Sequence, residues 1–109
     1  MITRPVKVTG DLRQLQAIHR QLFQDVYDWA GRLRTVDIRK GTDPGAEFFM
    51  PVSRLESGAG FAFAELADEH QLHGLDRDRF VDRLAHHYDQ VNYLHPFREG
   101  NGRTQRIFW

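Results

Sequence analysis

Between His95 and Arg106 the chain crowds together residue types that handle phosphate. Gly100-Asn101-Gly102 is a short, backbone-exposing turn set directly before a predicted helix start. Its successive N–H groups form an anion-binding nest, helped by the helix dipole. Arg103 and Arg106 are three apart and can point toward one anion. Glu99 adds a hard oxygen ligand beside the nest, and a carboxylate next to a phosphate site most simply means Mg²⁺. His95, four residues before Glu99, titrates near neutral pH and suits a general base. A base, a metal ligand, a nest and two arginines so close together suggest phosphoryl or nucleotidyl transfer. Spacing alone leaves a second reading open, a structural glycine turn with solvated arginines. The stretch is not a Walker loop, because Phe97 stands at the upstream glycine position and Arg103 replaces the lysine.

Composition narrows the field. The 109 residues fit one domain with one modest core. Fifteen basic and fifteen acidic side chains balance, so the chain lacks the basic surplus of a nucleic-acid binder. With no cysteine, disulfides, thiolate nucleophiles and cysteine-ligated zinc are excluded. The N-terminal Met1–Lys7 stretch has no apolar signal segment, and no apolar run reaches membrane-spanning length. A cytoplasmic protein without membrane contact is expected.

The fold expected is mostly α with one β-hairpin. Residues 1–10 read as an extended lead-in, and Asp11 as an N-cap. Leu12, Leu15, Ile18, Leu22, Val26 and Trp29 then make one helical face, broken near Phe23–Asp25, with Gly31 ending it. Arg34–Arg39 alternates polar and apolar, Lys40–Gly45 is dense in turn formers, and Ala46–Met50 follows. Together they predict a short hairpin that must lean on the helices. Ser53 is the expected cap of a helix running to about Leu72, with Leu55, Ala59, Phe63, Leu66 and Ala67 inward. Gly74 separates it from a third helix opened by Asp76. That helix carries the stripe Phe80, Val81, Leu84, Ala85, Tyr88 and Val91, and it ends near Tyr93–Leu94 before His95-Pro96. Thr104–Trp109 reads as the first turns of a last helix.

His95-Pro-Phe-Arg-Glu-Gly-Asn-Gly-Arg-Thr-Gln-Arg106 resembles the Fic signature His-x-Phe-x-Asp/Glu-Gly-Asn-Gly-Arg-x-x-Arg at every fixed position. Ile18-His-Arg20, Leu22–Gly31 and Arg34-Thr-Val36 resemble the first core helix of that family and its exit into a flap, so the similarity covers roughly residues 11–109. The resemblance implies a Fic fold, a helical bundle with a β-hairpin flap, whose last core helix is here cut short. It implies a protein adenylyltransferase that moves AMP from ATP to a Ser, Thr or Tyr hydroxyl, with ATP and Mg²⁺ required. His95 would be the general base, Phe97 the loop anchor and Glu99 the Mg²⁺ ligand. Gly100, Asn101 and Gly102 would form the anion hole. Arg103 would contact the β-phosphate, and Arg106 the γ-phosphate or the loop itself. The flap, with Val36, Ile38, Lys40, Phe48 and Phe49, would dock the target by β-augmentation. Gly102 separates the pattern from Doc-like kinases of the same fold.

Two departures shape the expected biology. The inhibitory motif Ser/Thr-x-x-x-Glu-Gly/Asn is absent from the sequence, so restraint would come from a separate antitoxin-like partner, as for the toxin of a toxin–antitoxin pair. The chain ends three residues after Arg106, which suggests a fragment or truncated gene; a catalytically silent Fic remnant acting as a binding or regulatory module is the alternative. Elsewhere, His70, His73, His86 and His87 read as surface or helix-end histidines without a third metal ligand. His19 reads as a satisfied packing histidine, and Trp29 and Trp109 as core. Arg32, Arg34, Arg39 and Lys40 read as a basic edge, solvated or attracting an acidic target or phosphates. Asn92 is a candidate hydrogen-bond partner for the active loop.

Overall fold

The computed structural model describes residues 6–43 and 45–109. The first five residues of the predicted lead-in and Pro44 of the predicted hairpin loop lie outside them. The described residues build four helices: α1 (Leu12–Phe23), α2 (Leu55–Asp68), α3 (Arg77–Leu94) and α4 (Asn101–Phe108). None of their helices is long and apolar enough to cross a membrane.

Two helix starts follow directly from sequence. The Asp11 carboxylate accepts from the Gln14 N–H, and that of Asp76 from the Arg79 N–H, each satisfying one of the orphan donors of a first turn. Ser53 does not cap α2. It lies in a single 3₁₀ turn, Val52–Arg54, and Arg54 takes the cap position without a side-chain bond. Helix α2 stops at Asp68 rather than Leu72, because His70, Gln71 and Leu72 all have positive φ and turn the chain left-handed. The start of α4 is also displaced from the expected Thr104: Asn101 and Gly102 are already helical.

The core comprises Leu15 of α1, Leu55, Ala59, Ala62, Phe63 and Leu66 of α2, Leu72 of the turn that follows α2, Val91 and Leu94 of α3, and Phe97 beyond it. Helix α2 packs on α3, and α4 on α1. Two predicted faces are rotated from the expected ones. Helix α1 ends at Phe23, where the break was expected, but the chain does not resume as helix. Leu22 and Val26 are therefore exposed, while His19 and Phe23 turn inward. On α3 the inward residues are His87, Val91 and Leu94, whereas Phe80 and Val81 stay exposed. Trp29 and Trp109 are half-buried at the edge of the core rather than within it.

The expected β-hairpin is reduced to one antiparallel bridge, Arg39 to Phe48. Two backbone bonds flank it, Lys40 N–H to the Glu47 carbonyl (2.8 Å) and Phe49 N–H to the Ile38 carbonyl (2.9 Å). No strand forms among the described residues. What holds this segment is Arg34 rather than a ladder: its side chain is 2% exposed and reaches four backbone carbonyls, as set out below.

Candidate active site

The site grows from the end of α3. Pro96 forbids a further helical turn, so His95 leaves α3 in the left-handed region (φ 43°) while its N–H still bonds the Val91 carbonyl (3.2 Å). A non-glycine residue in that conformation is strained and must be held by its surroundings. Arg34 does much of the holding. Its Nε donates to the His95 carbonyl (2.6 Å), its Nη2 to the carbonyls of Leu94 (3.0 Å) and Met50, and its Nη1 to that of Val36 (2.8 Å). The Arg34 N–H also donates to the Pro96 carbonyl (2.8 Å). One guanidinium thus joins the root of the flap to the end of α3.

The His95 ring lies flat against Phe49, with centroids 3.7 Å apart and planes 7° from parallel. Burial lowers its pKa from the ordinary 6.5, the Arg34 cation lowers it further, and the Asn92 backbone pulls the other way. His95 is therefore neutral at pH 7, the state a general base needs. Its Nδ1 is shielded from solvent and, apart from the influence of the nearby Asn92 backbone, has no hydrogen-bond partner among the described residues.

The turn that follows is clasped by its own asparagine. The Asn101 Oδ1 accepts from the Phe97 N–H (2.9 Å), and its Nδ2 donates to the Phe97 carbonyl (2.6 Å). The Asn101 side chain is buried and faces the protein, so only its backbone N–H is available to an anion. Phe97 is fully buried, stacked on His19 at 3.9 Å. Gly100 caps α4 with φ 82°, and the Thr104 hydroxyl and N–H both donate to its carbonyl. A Cβ at Gly100 would sit 2.3 Å from the Phe23 ring. Glycine is thus required here twice over, by φ and by space. In a helix that begins at Asn101, the N–H groups of residues 101–103 have no intrahelical acceptor. Glu99, Gly102, Arg103 and Arg106 are exposed around this end, with the Arg106 guanidinium beside Gly102. The structure thus gathers His95, Glu99, Gly100, Asn101, Gly102, Arg103 and Arg106 at the α3–α4 junction.

The flap residues divide. Phe49 is spent on His95. Lys40 pairs with Glu47 (3.6 Å) and lies over the rings of Phe49 and Tyr93. Val36 and Phe48 are exposed and Ile38 half-buried. Arg39 lies over Phe48.

Sequence reasoning did not single out Arg34 as a site residue, and the solvated edge expected there fails for it. No local signal separates a buried arginine from its exposed neighbours. The histidines away from the site also differ from expectation. His86 and His87 meet a third donor after all, Glu65 of α2, with the three candidate ligand atoms within 4.8 Å. Arg83 already places its cation there, 2.6 Å from Glu69 and 3.7 Å from Glu65, and His87 Nε2 lies 3.0 Å from Glu69. This network ties α2 to α3. His70 and His73 lie apart from it, exposed at the left-handed turn.

The profile of the Fic/DOC family matches residues 9–109. The chain belongs to the Fic/DOC family. Its Fic domain is 47% identical over 98 residues to the probable protein adenylyltransferase Fic of Escherichia coli K12, covering 90% of this chain and 47% of that protein. It is 45% identical over 98 residues to the protein adenylyltransferase VbhT of Bartonella schoenbuchensis, covering 90% of this chain and 20% of that one. The chain therefore spans half or less of the length of these relatives. Among solved structures, the N-terminal FIC domain of Bep8 from a Bartonella species superposes with a TM-score of 0.83 at 28% identity, over 96% of this chain and 54% of that one. BepC of Bartonella tribocorum, with bound AMPPNP, superposes equally well at 26% identity, over 96% and 55%.

Proposed function

We propose that this Fic domain catalyses transfer of AMP from ATP to a hydroxyl of a target protein. The observation that carries the reading is a half-buried His95, its ring stacked on Phe49 and its pKa lowered, held beside a helix N-terminus that carries Glu99, Arg103 and Arg106. The adenylyltransferase names of the relatives support it.

In this mechanism His95 takes the proton of the target hydroxyl as its oxygen attacks the α-phosphorus. The new O–P bond forms, the bond between the α-phosphorus and its bridging oxygen breaks, and pyrophosphate leaves. The N–H groups at the start of α4 receive the negative charge of the phosphates. Arg103 binds the β-phosphate and Arg106 the γ-phosphate, each as a fork. Glu99 is an exposed carboxylate at the same helix end, an oxygen-only donor that would hold Mg²⁺. When bound, that ion neutralises phosphate charge. The segment at residues 34–50 binds an extended stretch of the target through its open backbone groups, with Val36, Ile38 and Phe48 for side-chain contact. A toxin role restrained by an antitoxin-like partner belongs to the same proposal, the exposed Arg106 guanidinium being the group such a partner would occupy.

The test is incubation of the chain and its His95→Ala variant in bacterial lysate with Mg²⁺ and ATP labelled at the α- or the γ-phosphate. A His95-dependent band labelled only from the α-position supports AMP transfer. Label only from the γ-position indicates a kinase, and ATP binding without labelled protein favours a silent binding module.

A further inference from the structure

Two clusters outside the motif stand out. The Glu65–His86–His87 group is already neutralised by Arg83 and serves to join α2 and α3. The other is a single buried ring, His19, in the middle of α1 and fully shielded from solvent.

His19 is bonded at both nitrogens. The Gly31 N–H donates to Nδ1 (2.9 Å), and a backbone N–H can only donate, so Nδ1 is the unprotonated nitrogen. The proton is therefore on Nε2, which donates to the Glu99 carbonyl (2.8 Å). Burial lowers the ring's pKa below the ordinary 6.5, which keeps it neutral, although the bond to Glu99 pulls the other way. Phe97 stacks on one face at 3.9 Å, and Phe23 lies 4.8 Å away. Neither nitrogen is left for another task.

The consequence lies in peptide geometry. A trans peptide is planar, and its C=O and N–H point in opposite directions. No peptide among the described residues is cis. Pinning the Glu99 carbonyl inward on His19 therefore turns the Gly100 N–H outward, away from the core. The Gly100 N–H is the leading donor of the turn that opens α4. At its other nitrogen His19 holds Gly31, whose carbonyl is taken by Gln16 Nε2 (3.0 Å) and from which the chain leads to Arg34.

We infer that His19 is a positioning residue for phosphate binding: its Nε2–H fixes the 99–100 peptide so that the Gly100 N–H faces the bound nucleotide, while its Nδ1 ties the same loop to the root of the flap. The inference rests on the nucleotide-binding part of the proposed function.

Two amide substitutions separate the two bonds. Glutamine places its amide nitrogen near the position of Nε2 and so retains the donor to Glu99. Asparagine places its amide oxygen near Nδ1 and so retains the acceptor for Gly31. Affinity for AMPPNP with Mg²⁺ is measured by calorimetry on wild type, His19→Gln and His19→Asn, with urea unfolding on each. The two variants are expected to lose similar stability, each having lost one bond. His19→Gln should bind within about threefold of wild type, and His19→Asn about tenfold more weakly, the equivalent of one hydrogen bond. Equal affinities in the two variants at equal stability, or wild-type affinity in His19→Asn, would overturn the inference. If the wild-type chain itself does not bind AMPPNP, the nucleotide-binding reading fails, and the inferred role then depends on the crystal structure of His19→Asn. A reoriented 99–100 peptide there supports the linkage, and an unchanged one overturns it.

Discussion

The two glycines of Gly100-Asn101-Gly102 are equivalent in the motif and opposite in the structure. Gly100 has φ 82°, and a Cβ on it would lie 2.3 Å from Phe23 Cε2 and 2.5 Å from Cζ. Alanine there pays a left-handed backbone term of about 1–2 kcal/mol and an overpacking term of about 1–3 kcal/mol, because the ring is itself buried and cannot swing away. Gly100→Ala should therefore cost roughly 2–5 kcal/mol. Gly102 lies inside α4 with right-handed geometry, and a Cβ would meet only Arg106 Nη2, at 3.7 Å. Gly102→Ala should be neutral or stabilise by up to about 1 kcal/mol, as glycine-to-alanine changes in helices do. Urea unfolding at constant m-value measures both. Combining Gly100→Ala with Phe23→Leu removes the collision and should recover the overpacking part, leaving the backbone term, so the double-mutant cycle should show a coupling of about 1–3 kcal/mol. A Gly100→Ala protein within about 0.5 kcal/mol of wild type, or a Gly102→Ala protein as unstable as Gly100→Ala, would refute the packing argument.

Three further outcomes are expected. Arg34→Ala leaves the carbonyls of Val36, Met50, Leu94 and His95 without their donor. It should cost at least about 3 kcal/mol, with hydrogen exchange at residues 36–50 rising as the flap detaches; protection unchanged there would count against the clamp. Phe49→Ala uncovers the His95 ring, so its pKa should rise from its lowered value toward 6.5. The acid limb of the kcat/KM profile should then move to higher pH, and a profile that does not move would show that burial by Phe49 is not the cause. Glu69 is held at a pKa of about 2 against an ordinary 4.5, first by the Arg83 hydrogen bond. A depressed carboxylate contributes its full stability above pH 4.5 and loses it as pH falls through about 2. The Tm advantage of wild type over Glu69→Gln should therefore shrink between those values, and an advantage constant with pH would contradict the assignment.

Much of the helical frame was legible because its signals are local. Asp11 and Asp76 announce their helices by side-chain bonds to residues three further on, and Pro96 ends α3 by steric exclusion. The helical faces were less legible. Leu22 and Val26 have the spacing of a core face, yet α1 stops at Phe23 and the inward positions fall on His19 and Phe23. Periodicity gives the angle between apolar residues but not the direction in which the neighbouring element lies. The hairpin failed for a related reason. Alternation at Arg34–Arg39 describes a strand's two faces, but here pairing stops at a single bridge and Arg34 takes the carbonyls of Val36 and Met50.

At the candidate site, the sequence by itself determined that a titratable imidazole, a carboxylate, a glycine turn and two arginines fall within one short stretch across a proline break. Covalent connection alone keeps such groups near one another. Only the tertiary structure decided that the His95 pKa is lowered, that the Asn101 side chain faces inward, and that Gly100 and Gly102 differ. The Asn101 side chain is held by Phe97, four residues before it, whereas the other properties come from Arg34, Phe49 and Phe23, which lie 46 or more residues away along the chain. Burial and hydrogen bonding to such partners are created only when α1, the flap segment and the α3–α4 junction close on one another.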